Sequence, residues 1–349
     1  MSPEHLQEEA AEEVPADAIH SSLLCRTMND FCSSEKIVTF KFGGSSLLGA
    51  SRMLHAANLV RAAAQTSRIT VVVSAMKGVT DHLLSIVHAL AEGKLAQALR
   101  EAELVLQLHL DVLGALGLEE EGELRVRREL QTLGRDLLAE VPQQGRVAAE
   151  AEIFDRLASF GERFSARLFA AALEKSGVAA VPVASSDFVR TCENFRDAQP
   201  DLAESRRCGR EILLPLLEND IVPVVTGFIG ATRDGRITTL GRNSSDFSGA
   251  IVAHIVDAAE LVIWTDVDGI FTANPRESAE AKLLHQLSYD EAHALAASGA
   301  KVLHAKVLPL AAQTEMVVWV RNTFNPQAHG TRIGLSPASS SVSHMGGAA

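Results

Sequence analysis

The sequence predicts an α/β fold in which a mainly parallel sheet is covered by helices and interrupted by a helical insertion. Three observations carry that prediction. Short β-branched runs (37–40, 69–73, 178–183, 221–225, 261–264 and 317–320) alternate with long helical patterns, as parallel strands joined by crossovers do. Between the second and third runs, from about Asp81 to Glu174, lies a stretch rich in Leu, Ala, Glu and Arg that reads as several consecutive helices. At 349 residues and 47% hydrophobic, the chain also has enough apolar material for one large core or two joined lobes.

The two ends differ from this body. Residues 1–35 are polar and acidic (Glu8, Glu9, Glu12, Glu13) without sustained periodicity and read as a poorly ordered tail. From Ser336 the chain is small and polar, Pro-Ala-Ser-Ser-Ser-Val-Ser-His-Met-Gly-Gly-Ala-Ala, and reads likewise. The folded body is therefore placed at 36–334, with lobes at about 36–225 and 226–334 and a low-complexity tail from 335. Inside it, Asp-Gly in Thr232-Arg-Asp-Gly-Arg236 signals a β-hairpin, because glycine supplies the positive φ of the turn.

Charge and composition exclude several classes. A net charge of −12 without any Lys/Arg-rich run argues against a nucleic-acid footprint, which needs a basic face. No apolar run reaches the ~18 residues of a membrane span, and the acidic N-terminus is unlike a signal peptide. The chain reads as cytoplasmic. Cys25, Cys32, Cys192 and Cys208 form no C-x-x-C pair and have no histidines at metal-ligand spacing, so they read as incidental thiols.

Three motifs carry chemistry. Lys41-Phe42-Gly43-Gly44-Ser45-Ser46 follows the first strand. Adjacent glycines let backbone N–H groups approach an anion, and Lys41 adds a full charge, which suits ATP phosphates. It is not a Walker A loop, since the lysine precedes the glycines. Leu240-Gly-Arg-Asn-Ser-Ser-Asp246 precedes a small-residue helix expected over 247–256. Ser244 or Ser245 is expected to cap it and Asp246 to complement its dipole, while Arg242 offers a fork for a carboxylate. Trp264-Thr-Asp-Val-Asp-Gly-Ile-Phe271 ends a strand in two carboxylates, where α/β sheets gather ligands. An EF-hand does not fit there, because Ile270 and Phe271 occupy positions that need a ligand and a glycine. Turn formation alone would account for its Asp and Gly residues. Glu162 in Gly161-Glu-Arg163 and Lys301 in Gly299-Ala-Lys-Val-Leu-His304 gain weight only from these companions; the neighbours of Lys301 predict a buried or ligand-paired ammonium.

The order of these motifs resembles the amino acid kinase family, and within it the aspartate kinases. Phe40-Lys-Phe-Gly-Gly-Ser-Ser46 is similar to their opening phosphate loop, commonly K-F-G-G-T-S. Val73-Ser-Ala-Met-Lys-Gly-Val-Thr80, Gly161-Glu-Arg-Phe-Ser165, Arg190-Thr-Cys-Glu-Asn-Phe-Arg-Asp197, Thr226-Gly-Phe-Ile-Gly230, 238–246, 264–276 and 299–304 continue the likeness through nearly all of 36–334. The resemblance implies a three-layer αβα sandwich that uses ATP with Mg²⁺ to phosphorylate L-aspartate on its side-chain carboxylate, for lysine, threonine and methionine biosynthesis. It implies that Lys41, Phe42, Gly43 and Gly44 contact phosphates, with Thr265, Asp266, Phe271, Arg276, Lys301 and Val302 lining the nucleotide pocket. Ser45, Thr80, Glu162, Arg242, Asn243, Ser244 and Ser245 would hold aspartate, Glu162 facing its ammonium, and Asp246 would orient Lys41.

Departures are local. Ser45 stands where threonine is common, Phe271 where tyrosine is, and Asn274, Ser298 and Ala305 where aspartate, an aromatic and proline are frequent. Aspartate kinases also continue into a pair of regulatory ACT domains, whereas this sequence stops soon after Gly334. That implies feedback-insensitive activity, a homodimer formed without those domains, a regulatory or fused partner in their place, or a piece of a bifunctional parent. Two other readings stay open: a kinase of the same family acting on glutamate, N-acetylglutamate, carbamate or a nucleotide, and a catalytically silent binding subunit.

Overall fold

The computed structural model describes residues 36–141, 150–273, 278, 280–297 and 303–335. The expected tails, apart from Leu335, lie outside these. Among the described residues the main sheet has eight strands in the order β10-β12-β11-β7-β1-β2-β4-β3. The central strand is β1 (Ile37–Phe42), with β2 (Arg68–Val73), β4 (Val222–Thr226) and β3 (Ala180–Val183) on one side. On the other side lie β7 (Glu260–Thr265), β11 (Val317–Asn322), β12 (Thr331–Ile333) and β10 (Gln286–Leu287). Every pairing is parallel except β11 with β12. All six strands expected from the sequence belong to this sheet. Their near-continuous Val and Ile content follows from burial on both faces, which parallel crossovers enforce.

Alternation along the strands divides the core in two. Phe40, Phe42, Val71, Val73, Val224, Val262 and Trp264 pack with α1 (Ala50–Ala63) and α6 (Phe160–Lys175). Val72, Val225, Leu261, Ile263, Val318 and Val320 pack on the opposite side with α7 (Leu202–Glu218), α8 (Ser245–Ile255) and α10 (Val307–Thr314). The expected insertion is present as α2 (Val79–Ala91), α3 (Leu95–Leu116), α4 (Glu120–Glu140), α5 (Glu150–Ala158) and α6. Asp-Gly turns the expected hairpin, with Gly235 at φ +86° between β5 (Ile229–Ala231) and β6 (Ile237–Thr239).

The topology selects one strand end. From β1 the chain moves to β2 on one side and returns much later as β7 on the other, so the carboxyl end of β1 is a switch point with a crevice beside it. Period-2 alternation sends Phe42 into the core, where it is fully buried against Trp264 and Phe169, and turns Lys41 toward α8. Gly249 leaves space for the lysine stem, since a Cβ there would lie 3.2 Å from Lys41 Cβ.

Candidate active site

A cavity of about 680 Å³ opens at the end of β1. It is lined by Lys41, Gly43 and Gly44 from β1 and its loop, and by Thr80 at the start of α2. Glu162 of α6 and the segment Arg242, Asn243, Ser245 and Asp246 at the start of α8 complete this set. Residues separated by up to 205 positions thus line one cavity.

Lys41 Nζ lies 2.7 Å from Asp246 Oδ1, and the lysine side chain is 10% exposed. Asp246 and Gly249 are three residues apart on α8 and therefore share a face, so one provides the carboxylate and the other the gap through which Lys41 reaches it. The loop after β1 is fixed from both sides. Gly43 N–H donates to Trp264 O at 3.2 Å, and Lys77 N–H donates to Gly44 O at 3.1 Å. Gly44 must be glycine, because a Cβ would sit 2.6 Å from Ala75 O. Gly43 meets no such obstacle: its Cβ would have only ordinary contacts, including Lys41 Nζ at 3.8 Å. Its bare Cα keeps open the space beside the ammonium.

The opposite wall is α6. Gly161 brings this helix against the loop after β2, where a Cβ would come within 2.7 Å of Ala75 Cβ, and Ser165 Oγ accepts from Met76 N–H at 3.1 Å. Between them Glu162 is 5% exposed yet faces the cavity. Burial pushes its carboxyl up to about 8, opposed by the backbone N–H of Ala75 and its own, and by the charge of Lys41. A buried carboxyl poised in this way gives up its proton and becomes a carboxylate when a cation arrives beside it.

The start of α8 differs from the expectation. The helix begins at Ser245, two residues before the expected 247, and Ser244 occupies the cap position without capping through its side chain. Its hydroxyl is buried and makes no hydrogen bond. The segment is set instead by Gly241 at φ +101° and Asn243 at φ +59°. Lys306 adds an anchor, donating to Asp197 Oδ1 at 2.8 Å and Leu240 O at 3.4 Å.

Not every expected residue reaches the cavity. The Phe42 side chain is core, so only its backbone faces the loop. Ser45 is half-buried, its carbonyl accepting from Arg52 at 2.8 Å, and it does not line the cavity; nor does Ser244. Thr265 ends β7 and Asp266 follows it, and Phe271 is half-buried in β8 (Ile270–Phe271), paired with β9 (Leu283–Leu284). These three lie outside the cavity wall. Arg276, Lys301 and Val302 fall outside the described residues.

A model of the amino acid kinase family matches residues 36–322. The chain belongs to the amino acid kinase family. It is 33% identical over 298 residues to lysine-sensitive aspartokinase 3 of Escherichia coli (strain K12), a match covering 85% of this chain and 64% of that relative. It is 32% identical over 308 residues to the chloroplastic aspartokinase 1 of Arabidopsis thaliana, covering 86% of this chain and 52% of the relative. The chain thus spans between half and two thirds of the length of these relatives. The crystal structure of E. coli aspartokinase III in complex with aspartate and ADP superposes with a TM-score of 0.79 at 30% identity, over 87% of this chain and 66% of that one.

Several residues of this family member line the cavity without having been given a role from its sequence: Ser74, Asp81, Phe154, Arg196, Phe228 and Thr239 among them. Behind them Asp155 is fully buried and accepts from Thr239 N–H at 2.8 Å, Thr239 Oγ1 at 2.7 Å and Arg196 N–H at 2.9 Å. Burial raises its carboxyl above the usual aspartate range against those three donors. Nothing in a lone Asp within a helical pattern marks it for this role. Only the meeting of α5 with the hairpin does.

Proposed function

We propose that this chain is an ATP-dependent kinase that phosphorylates the side-chain carboxylate of L-aspartate, giving 4-phospho-L-aspartate and ADP. The observation that carries the reading is the pairing, in one cavity beside Lys41, of the buried carboxyl of Glu162 with the exposed fork of Arg242. A free α-amino acid presents an ammonium and a carboxylate, and this clamp complements both. An N-acylated acid or carbamate would leave Glu162 buried and unpaired, which is costly.

The remaining groups suit phosphoryl transfer. An aspartate side chain, with pKa near ~3.9, is ionised at neutral pH and needs no base to attack phosphorus. The difficulty is bringing two anions together, and a preorganised cation addresses it. Lys41, held by Asp246, would neutralise charge on the transferred group, while the loop amides beside the open Cα of Gly43 would meet phosphate oxygens. The open space next to the ammonium fits a phosphate. Mg²⁺ would enter on the nucleotide, with Asp246 as the carboxylate at hand, and would screen phosphate charge. Thr265, Asp266 and Phe271 at the ends of β7 and β8, with Arg276, Lys301 and Val302, are proposed for the rest of the nucleotide. The aspartokinase likeness of sequence and fold supports the same choice.

The test is an ATP-dependent hydroxylamine trap with L-aspartate, L-glutamate and N-acetylglutamate in parallel. Acyl hydroxamate from aspartate alone is expected. Turnover of glutamate or N-acetylglutamate in its place would move the substrate, and ATP binding without turnover of any acid would favour a silent subunit.

A further inference from the structure

Six non-glycine residues among those described have positive φ. Asp220, Asp257 and Glu315 follow or form the ends of α7, α8 and α10, where left-handed backbone is the ordinary way to stop a helix. Arg196, Phe228 and Asn243 end no helix, and all three line the cavity. Asparagine tolerates this conformation, and Phe228 is fixed on both sides, its N–H donating to Ser248 Oγ at 2.7 Å and its carbonyl accepting from Leu240 at 2.9 Å. Arg196, at φ +73°, is the least expected, because glycine would take that backbone without strain. Strain persists where the surroundings over-determine it, and it clusters at ligand clamps.

The surroundings of Arg196 do over-determine it. Asp155 accepts its N–H at 2.9 Å, the ring of Phe154 lies under its guanidinium at 4.5 Å, and the carboxylate of the next residue, Asp197, lies against Gly241, next to Arg242. One buried carboxylate on α5 therefore fixes both β6 and the backbone of this arginine. The side chain itself is exposed at the cavity, and among the described residues no carboxylate forms a salt bridge with it, whereas Lys41 is paired.

We propose that Arg196 is a second carboxylate-binding arm of the amino-acid site, gripping the non-reacting α-carboxylate together with Arg242, and that Asp155 is the residue that positions it. The inference rests on the kinase reading above and deepens it. A dicarboxylic amino acid must be held by one carboxylate while the other reacts. Two forked cations lining the same cavity achieve that, and leave Lys41 to the reacting end.

The experiment compares wild type, Arg196→Gly, Arg196→Lys and Asp155→Asn by calorimetric titration and initial rates. The ligands are L-aspartate and its α-amide, which keeps the side-chain carboxylate and loses the other. Arg196→Gly should weaken aspartate binding and raise its KM by about tenfold, the loss of one charge-assisted contact. Its kcat, its KM for ATP and its melting temperature should hold, because the backbone strain is relieved. With the α-amide the penalty should vanish. Arg196→Lys should recover part of the affinity, and Asp155→Asn should reproduce the KM effect; where that variant does not fold, the two Arg196 substitutions decide. Equal affinity of wild type and Arg196→Gly for aspartate overturns the assignment, as does an equal penalty on the α-amide. A wild type that ignores aspartate and phosphorylates another acid overturns the substrate reading instead, so the two failures are distinguishable.

Discussion

The cavity wall and the end of β7 are both polar, and they are built in opposite ways. Around the cavity, Lys41, Glu162 and Asp246 come from distant parts of the chain, and each is partly or wholly buried with its geometry fixed by helices. At the end of β7, the polar groups solve a local problem. Asp268 accepts from Asn322 at 2.8 Å and Asn325 at 3.2 Å, tying together the loops that follow two adjacent strands, and Asp266 is exposed. Charge that is costly to bury points to a ligand, whereas charge that satisfies a turn does not.

Breaking that contrast should begin with the paired cation. Lys41→Ala is expected to lower kcat in the hydroxamate assay by about 10²–10³-fold, the usual effect of losing one preorganised stabilising group. A fall of less than tenfold would remove Lys41 from the reaction. Next is the loop: in Gly44→Ala the added Cβ meets a backbone oxygen that has no room to move, so the loop must shift. A displacement of that kind is expected to reduce kcat/KM by about 10²-fold and, because the clash is with backbone, to lower the melting temperature as well.

Glu162→Gln sharpens the comparison from the other wall. Loss of the ammonium contact should raise the KM for aspartate by about 30-fold, equivalent to ~2 kcal/mol. It also has a pH signature. Folding raises the carboxyl from 4.5 to about 8, so the folded state holds this proton more tightly than the unfolded chain does. The stabilising contribution is complete below pH 4.5 and is lost as the pH rises through about 8. Glutamine cannot ionise, so the melting temperature of Glu162→Gln should gain on wild type between those limits, and aspartate should narrow the gap. Parallel melting curves across that range would show that Glu162 is not a buried, proton-holding group. The smallest effect is expected at the other region: Phe271→Ala should raise the KM for ATP by about fivefold, the worth of one stacked ring, and leave that for aspartate unchanged. A change in the aspartate KM alone would place Phe271 on the wrong side of the reaction.

Strands, insertion and hairpin were legible because each rests on a short-range pattern: β-branched runs, a Leu/Ala-rich stretch, one Asp-Gly. The glycine pair and Arg242 read as an anion site because their chemistry is local, and the structure brings them to one cavity. Arg196, quoted only within a family-like segment, and Asp155 were given no role, because a positive φ at an arginine and a carboxylate shared between helix and hairpin have no sequence pattern. The cap at Ser244 was misread for a related reason. Ser is a good cap on its own, but here Gly241 and Asn243 shape the approach and leave its hydroxyl without a partner.

The sequence by itself determined the layers of this protein and the loop after β1, because periodicity and glycine spacing act through neighbouring residues. Only the tertiary structure decided which charges are buried and which are paired. Strand alternation turns Lys41 toward α8, the missing side chain of Gly249 admits it, and that of Gly161 lets α6 close until Glu162 is out of water. Burial is a property of how elements meet, and it is burial that converts an ordinary lysine, glutamate and aspartate into a site.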